Sequence, residues 1–167
     1  MSLLKSLGKN PSGKRLERIK QSPNYKNNAF QNLSHTDQLS KDTSYVKIMK
    51  DQMNKSKHVE PKKVLPFVKT DLHSIEAEEP TIVWFGHSSY LLKINGKTIL
   101  VDPVFSGNAS PFSFMIKAFK GADEYKAEHM PKIDLLLLTH DHYDHLDYKT
   151  LKQLRSKIKQ IYCPLGV

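Results

Sequence analysis

Seven consecutive residues hold the densest chemistry in the chain: Thr139-His140-Asp141-His142-Tyr143-Asp144-His145. Six of the seven carry a metal-ligating or acid/base side chain. Imidazole nitrogens and carboxylate oxygens are the donors of zinc and similar divalent ions, and catalytic sites of this kind leave a coordination position open for water. A solvated polar loop that merely happens to be rich in His and Asp is the plainer reading, and it explains this density and placement poorly. The cluster follows Ile133–Leu138, a run of strand length that is apolar apart from Asp134. A helical pattern comes next, so the donors fall where a chain leaving a strand turns into a helix. In such a turn His140, His142 and Asp144 need not alternate faces and can fan around a common centre.

Two further positions draw attention. Asp102 stands at the end of the apolar stretch Ile99-Leu100-Val101 and precedes Pro103. A carboxylate there either opens a turn or accepts hydrogen bonds from a metal-binding loop, orienting ligands without touching the ion. His87 lies in Gly86-His87-Ser88-Ser89 between two strand-like runs. It is read first as an ordinary loop histidine and second as a catalytic or substrate-contacting one. His35, His58, His73 and His129 are isolated in polar surroundings and receive no role. The single cysteine, Cys163, precedes Pro164 and is expected to be a small core residue rather than a nucleophile.

The elements that would position these groups are legible by pattern. Thr81-Ile82-Val83-Trp84-Phe85 and Ser89 to Ile94 read as strands, and Asn95-Gly96 is a strong hairpin signal because both residues tolerate the positive φ of a type I′ turn. Lys97 to Val101 is the returning strand, and proline at position 103 ends its ladder. After the histidine cluster, Leu146 or Asp147 opens a helix with Leu151, Leu154 and Ile158 on one face and Lys149, Lys152, Arg155 and Lys159 toward water. Gln160 to Cys163 reads as another short strand. Residues 104–131 form a long connection in which Ser113 to Lys120 is a candidate short helix that either caps the core or lines an apolar cleft.

The rest of the chain differs in character. Net charge is +9, and it is uneven: residues 1–70 hold fifteen Lys/Arg against five Asp/Glu, whereas residues 71–167 hold eleven against twelve. Residues 1–60 read as a basic, polar, weakly structured arm, with a marginal apolar turn at Leu3, Leu4 and Leu7 and a candidate helix from Ser44 to Met53 that packs on something through Val46, Met49 and Met53. Residues 61–80 read as an extended strap and linker. The basic segment suits an anionic membrane surface or a solvated arm, and specific nucleic-acid recognition is not expected because no reading motif is present. A lone cysteine excludes an internal disulfide, and without a signal-type or membrane-spanning apolar run the expected location is the cytoplasm, with peripheral membrane contact.

The run His140-Asp141-His142-Tyr143-Asp144-His145 resembles the His-x-His-x-Asp-His signature of the metallo-β-lactamase superfamily. Trp84-Phe85-Gly86-His87-Ser88-Ser89-Tyr90-Leu91 and Asp102-Pro103-Val104-Phe105 are similar to motifs of the branch containing N-acylphosphatidylethanolamine-hydrolysing phospholipase D. The resemblance covers about residues 61–167. It implies an α/β (α+β) fold, the amino-terminal half of an αββα sandwich over residues 81–167. It also implies two divalent ions, usually Zn2+ with Mn2+ or Fe as alternatives. His140 and His142 would serve one ion, and Asp144 and His145 the other. Asp144 would be the catalytic carboxylate, Asp102 a support for the loop, and a metal-bound hydroxide the nucleophile toward a phospholipid phosphodiester or other ester. The family's further ligands lie downstream of its first signature and are not among these residues. The expectation is therefore a truncated hydrolase that is inactive alone. The alternatives are a half-enzyme completed by another chain or copy, and a non-catalytic module at membrane surfaces.

Overall fold

The computed structural model describes residues 7–37, 39–54, 56, 58–76, 79–110, 112 and 116–167. The chain divides into two compact units, one comprising residues 10–62 with Gly166, the other residues 1–9 and 63–165 with Val167.

The first unit holds a few short regular elements, among them the helix expected from Ser44 to Met53. Helix α1 spans Gly13–Lys20, strands β1 (Tyr25–Lys26) and β2 (Ala29–Phe30) pair antiparallel, and helix α2 spans Tyr45–Met53. Asn27 and Asn28 supply the two positive φ angles of the β1–β2 turn, a conformation asparagine tolerates. Ser44 caps α2 by accepting the Lys47 N–H at 3.2 Å. The residues expected to pack from that helix, Val46, Met49 and Met53, are exposed instead. Of the apolar turn at Leu3, Leu4 and Leu7, the first two lie outside the described residues.

The second unit is built on a five-stranded sheet of order β3-β4-β5-β6-β7: Thr81–Gly86, Ser89–Ile94, Lys97–Val101, Ile133–Leu137 and Ile158–Tyr162. The first three strands form the antiparallel meander expected from the pattern, with Asn95 and Gly96 at φ 49° and 70° between β4 and β5. Strands β5, β6 and β7 are parallel. This is a mixed α/β fold, as expected, with one five-stranded sheet and few helices among the described residues.

Alternation decides what each face buries. Val83, Leu91, Leu100 and Leu136 stand opposite one another across β3 to β6 and join Leu72, Phe105, Tyr125, Met130 and Leu154 in the core. On the other face Ile82 and Trp84 are exposed, and Leu135 and Leu137 are half-buried rather than enclosed on both sides. Lys93 points its stem into the core face, and its ammonium donates to the Ile75 carbonyl at 2.7 Å.

Three expectations change here. Helix α3 spans only Tyr148–Leu154, and Ile158, placed on its apolar face by periodicity, is the first residue of β7 and pairs with Ile133. Lys157 stabilises that early exit, donating to the carbonyls of Ala127, Glu128 and Met130 at 3.0, 2.8 and 2.6 Å. Cys163 is exposed, not in the core, because it follows β7, the last strand of the sheet among the described residues. The candidate helix at Ser113 to Lys120 lies partly outside the described residues. Its described part is extended, with Lys117 bridged to Asn108 and Ala118 N–H donating to the Gly107 carbonyl at 3.0 Å.

Candidate metal centre

Parallel pairing sets the site. Val101 and Leu137 are register partners at the carboxyl ends of β5 and β6, so Asp102 and the Leu138-Thr139 step emerge side by side. The backbone continues the match beyond the strands, Asp102 N–H donating to the Leu137 carbonyl at 3.0 Å and Leu138 N–H to the Tyr162 carbonyl at 2.9 Å.

Asp102 is 1% exposed and sits at φ 41°, in the left-handed region where aspartate is among the better-tolerated residues. Its Oδ1 accepts the Thr139 N–H at 2.8 Å, and its Oδ2 accepts the Thr139 hydroxyl at 2.6 Å and lies 2.8 Å from His145 Nδ1. A carboxylate can only accept, so Nδ1 of His145 carries its proton and Nε2 keeps its lone pair for a ligand role. Asp102 is itself pinned: the Ser89 hydroxyl donates to its carbonyl at 2.5 Å while accepting the Val104 N–H at 3.1 Å.

The histidine loop closes on itself, His145 and Leu146 N–H both donating to the His142 carbonyl at 3.0 and 2.7 Å. It ends at Asp147, one of the two residues expected to open the helix. Asp147 Oδ1 caps α3 through Lys149 and Thr150 N–H, and its Oδ2 accepts the Ser106 N–H at 2.9 Å and the Thr150 hydroxyl at 2.6 Å. A buried Asp–Thr pair thus ties the helix start to the segment after Asp102.

Within this frame the signature side chains fall into two parts: among the described residues Asp144 and His145 share one group of close ligand atoms, whereas His140 and His142 stay outside that group and adjoin it through ring contacts. The His140 ring lies 3.8 Å from that of His145 and 4.7 Å from that of His142, and Thr139 Oγ1 reaches His140 Nδ1 at 2.9 Å. Among the described residues, the group whose ligand atoms all lie within 4.8 Å of one another is His87, Asp144 and His145. His87, read first as an ordinary loop histidine, is therefore brought into the cluster, its Nε2 3.0 Å from Asp144 Oδ2. Its position follows from a register shift between Trp84 and Gly86 in the β3–β4 pair, a left-handed backbone at φ 48°, and a hydrogen bond from the Trp84 indole to its carbonyl at 2.9 Å.

Sequence reasoning assigned no part to Thr139 and Ser89, although both lie in the quoted motifs. Their only signal was polarity next to a strand end that otherwise faces the core. Asp141 is exposed and joins no metal-capable group among the described residues. The donor chemistry fits a divalent ion: two imidazoles and a carboxylate converge, and a buried carboxylate fixes one ring's tautomer.

A family model described as a beta-lactamase superfamily domain matches residues 81–163. An uncharacterized protein of Mycobacterium tuberculosis is 31% identical over 149 residues, covering 88% of this chain and 40% of that protein. The N-acyl-phosphatidylethanolamine-hydrolyzing phospholipase D 1 of Caenorhabditis elegans is 35% identical over 86 residues, 50% of this chain and 24% of the relative. A metal-dependent hydrolase of Lawsonia intracellularis is 38% identical over 66 residues, 40% of this chain and 24% of the relative. The chain spans less than half the length of each of these relatives.

Proposed function

Through residues 81–163 this chain belongs to the metallo-β-lactamase superfamily, and from that premise we propose that it carries the amino-terminal half of the active site of a metal-dependent hydrolase acting on a phosphodiester or related ester. The observation that carries the reading is the lock between Asp102, Thr139 and His145, which orders the histidine loop and presents Nε2 of His145 as a ligand.

His140 and His142 would hold one ion, and Asp144 with His145 the second. Divalent ions there supply Lewis acidity and make water ionisable near neutral pH. The chain's own groups do the rest: Asp102 holds the loop through Thr139 and His145, and the parallel register of β5 and β6 keeps their carboxyl ends at fixed spacing. The phospholipase name of the Caenorhabditis relative supports a phospholipid or other phosphodiester as substrate. Zinc is the ion we propose, since imidazole and carboxylate donors in a small open site suit it.

The test is metal content per chain by elemental analysis after purification without chelator, with His142→Ala alongside. Bound metal that falls in the variant is expected; a metal content no higher than that of the variant refutes the reading. Turnover of an activated phosphodiester then tests the substrate class.

A second reading is favoured by the charge asymmetry. Residues 1–70 carry a strong positive excess, while residues 71–167 are nearly neutral. Helix α2 adds an apolar face open to solvent, Val46, Met49 and Met53 being 63%, 65% and 83% exposed, beside Lys47 and Lys50. We propose that this segment rests on anionic membrane, where each basic residue near the surface contributes about 1 kcal/mol. Salt-sensitive cosedimentation with phosphatidylserine vesicles, absent with neutral ones, is the expected result; equal binding to both vesicle types would argue against it. No helix of the described residues is long and apolar enough to cross a membrane.

A further inference from the structure

We infer that His87 is a metal ligand, completing with Asp144 and His145 a three-donor cation site that the histidine signature by itself does not contain. The inference rests on the metal-dependent reading above and extends it to a residue outside the signature loop.

Three features of the chain place His87 for this role. Its backbone is held: the left-handed φ of 48° and the Trp84 indole hydrogen bond to its carbonyl fix the turn between β3 and β4. Its ring faces that of His145 edge-on, with centroids 5.1 Å apart. Its Nε2 is 3.0 Å from Asp144 Oδ2, and the same carboxylate oxygen is 3.8 Å from His145 Nε2. Asp144 thus stands between two imidazole nitrogens, each brought from a different strand end.

The spacing is close to what a small ion needs. Donors at about 2.0–2.1 Å from tetrahedral zinc lie roughly 3.3–3.4 Å from one another. The His87–Asp144 and His145–Asp144 separations of 3.0 and 3.8 Å bracket that value. A neutral His87 that donates from Nε2 to Asp144 frees this nitrogen for an ion by moving its one ring proton to Nδ1, with no net proton release. Three protein donors with a fourth position open is the arrangement of catalytic rather than structural zinc.

A surface ion pair is the competing account of the same geometry, since the His87 and Asp144 side chains are 60% and 41% exposed. Cobalt(II) separates the two accounts, because its visible spectrum and affinity report the ligands directly, without turnover. The full chain is titrated with cobalt as wild type, His87→Asn, His142→Ala and His129→Ala. Asparagine is the substitution of choice, as it accepts the left-handed backbone that alanine would strain. The expected result is a saturable spectrum in the wild type, displaced by zinc, with affinity reduced at least about tenfold and the bands shifted in His87→Asn. Even outer partners of a metal ligand produce effects of that size. The His129 variant should match the wild type. A His87→Asn protein with wild-type affinity and spectrum would overturn the assignment, and if His142→Ala loses cobalt in the same series, the hydrolase reading stands while this one falls. A wild-type chain that takes up no cobalt overturns both.

Discussion

Replacing Asp102 with asparagine separates the two jobs this residue performs. The carboxylate accepts from the Thr139 N–H, the Thr139 hydroxyl and His145 Nδ1. An amide of the same shape offers one acceptor oxygen and two donor hydrogens. Its oxygen can keep the Thr139 N–H, and the Thr139 hydroxyl can rotate to accept. His145 cannot adapt that way: its Nδ1–H would face an N–H donor, so the ring must release that proton and carry it on Nε2. The backbone adds no penalty, because asparagine tolerates φ near 41°. Loss of a buried charge-assisted acceptor, offset by removal of a buried charge, costs about 1–3 kcal/mol. For a chain of this size that lowers Tm by roughly 2–4 °C per kcal/mol. The larger effect falls on the metal, since a His145 protonated at Nε2 is not a ligand, and affinity should drop about 10–100-fold. Zinc competition against a chromophoric chelator gives the affinity, and nitrogen-15 NMR of the imidazoles gives the tautomer. An Asp102→Asn protein that binds zinc within twofold of wild type, with His145 still protonated at Nδ1, would refute the reasoning.

Thr150→Val removes a hydroxyl that accepts the buried Phe105 N–H at 2.9 Å and donates to Asp147 at 2.6 Å. With Thr150 fully buried, the orphaned amide should cost about 1–3 kcal/mol, visible as a lower urea midpoint, and an unchanged midpoint would contradict the assigned role. Gly121 has φ 89°, and a Cβ there would collide with the Leu65 carbonyl. Gly121→Ala should therefore cost about 1–3 kcal/mol and break the 2.9 Å bond from Leu65 N–H to the Lys120 carbonyl, so faster hydrogen exchange at Leu65 is expected. Wild-type protection of that amide would count against the clash.

The meander was legible because each of its signals is local. The strand-like run Ser89–Ile94 and the positive-φ turn at Asn95-Gly96 involve neighbours in sequence, and the structure has both. The fold of the second unit followed from those signals together with the signature resemblance. What escaped depends on distant partners. Ile158 continues the helical period after Leu154, but Lys157 finds three carbonyls from the 127–130 turn and the chain leaves the helix to pair with β6. Cys163 looked buried by type, yet burial requires an outer neighbour and β7 has none among the described residues. In the first unit, α1 is short and polar, with only Ile19 buried, so no apolar stripe announced it. The placement of His87 beside Asp144 escaped for a related reason: neither the register shift nor the indole contact that aim it can be read from a Gly-His-Ser-Ser string.

The two carboxylates at this edge should then behave differently under substitution. Asp102 is buried and holds together β5, the turn after β6 and the histidine loop, so its loss is felt by the fold as well as the site. Asp144 is 41% exposed, and its ion-pair partners among the described residues are the imidazoles of His87 and His145, at 3.0 and 3.8 Å. An exposed pair contributes little to stability, about 0–1 kcal/mol. Asp144→Asn should leave the melt nearly unchanged while removing a charged donor from the cluster, whereas Asp102→Asn lowers both stability and affinity. An Asp144→Asn protein that melts as far below the wild type as Asp102→Asn would contradict this division, because nothing in the described packing of the sheet requires a carboxylate at position 144.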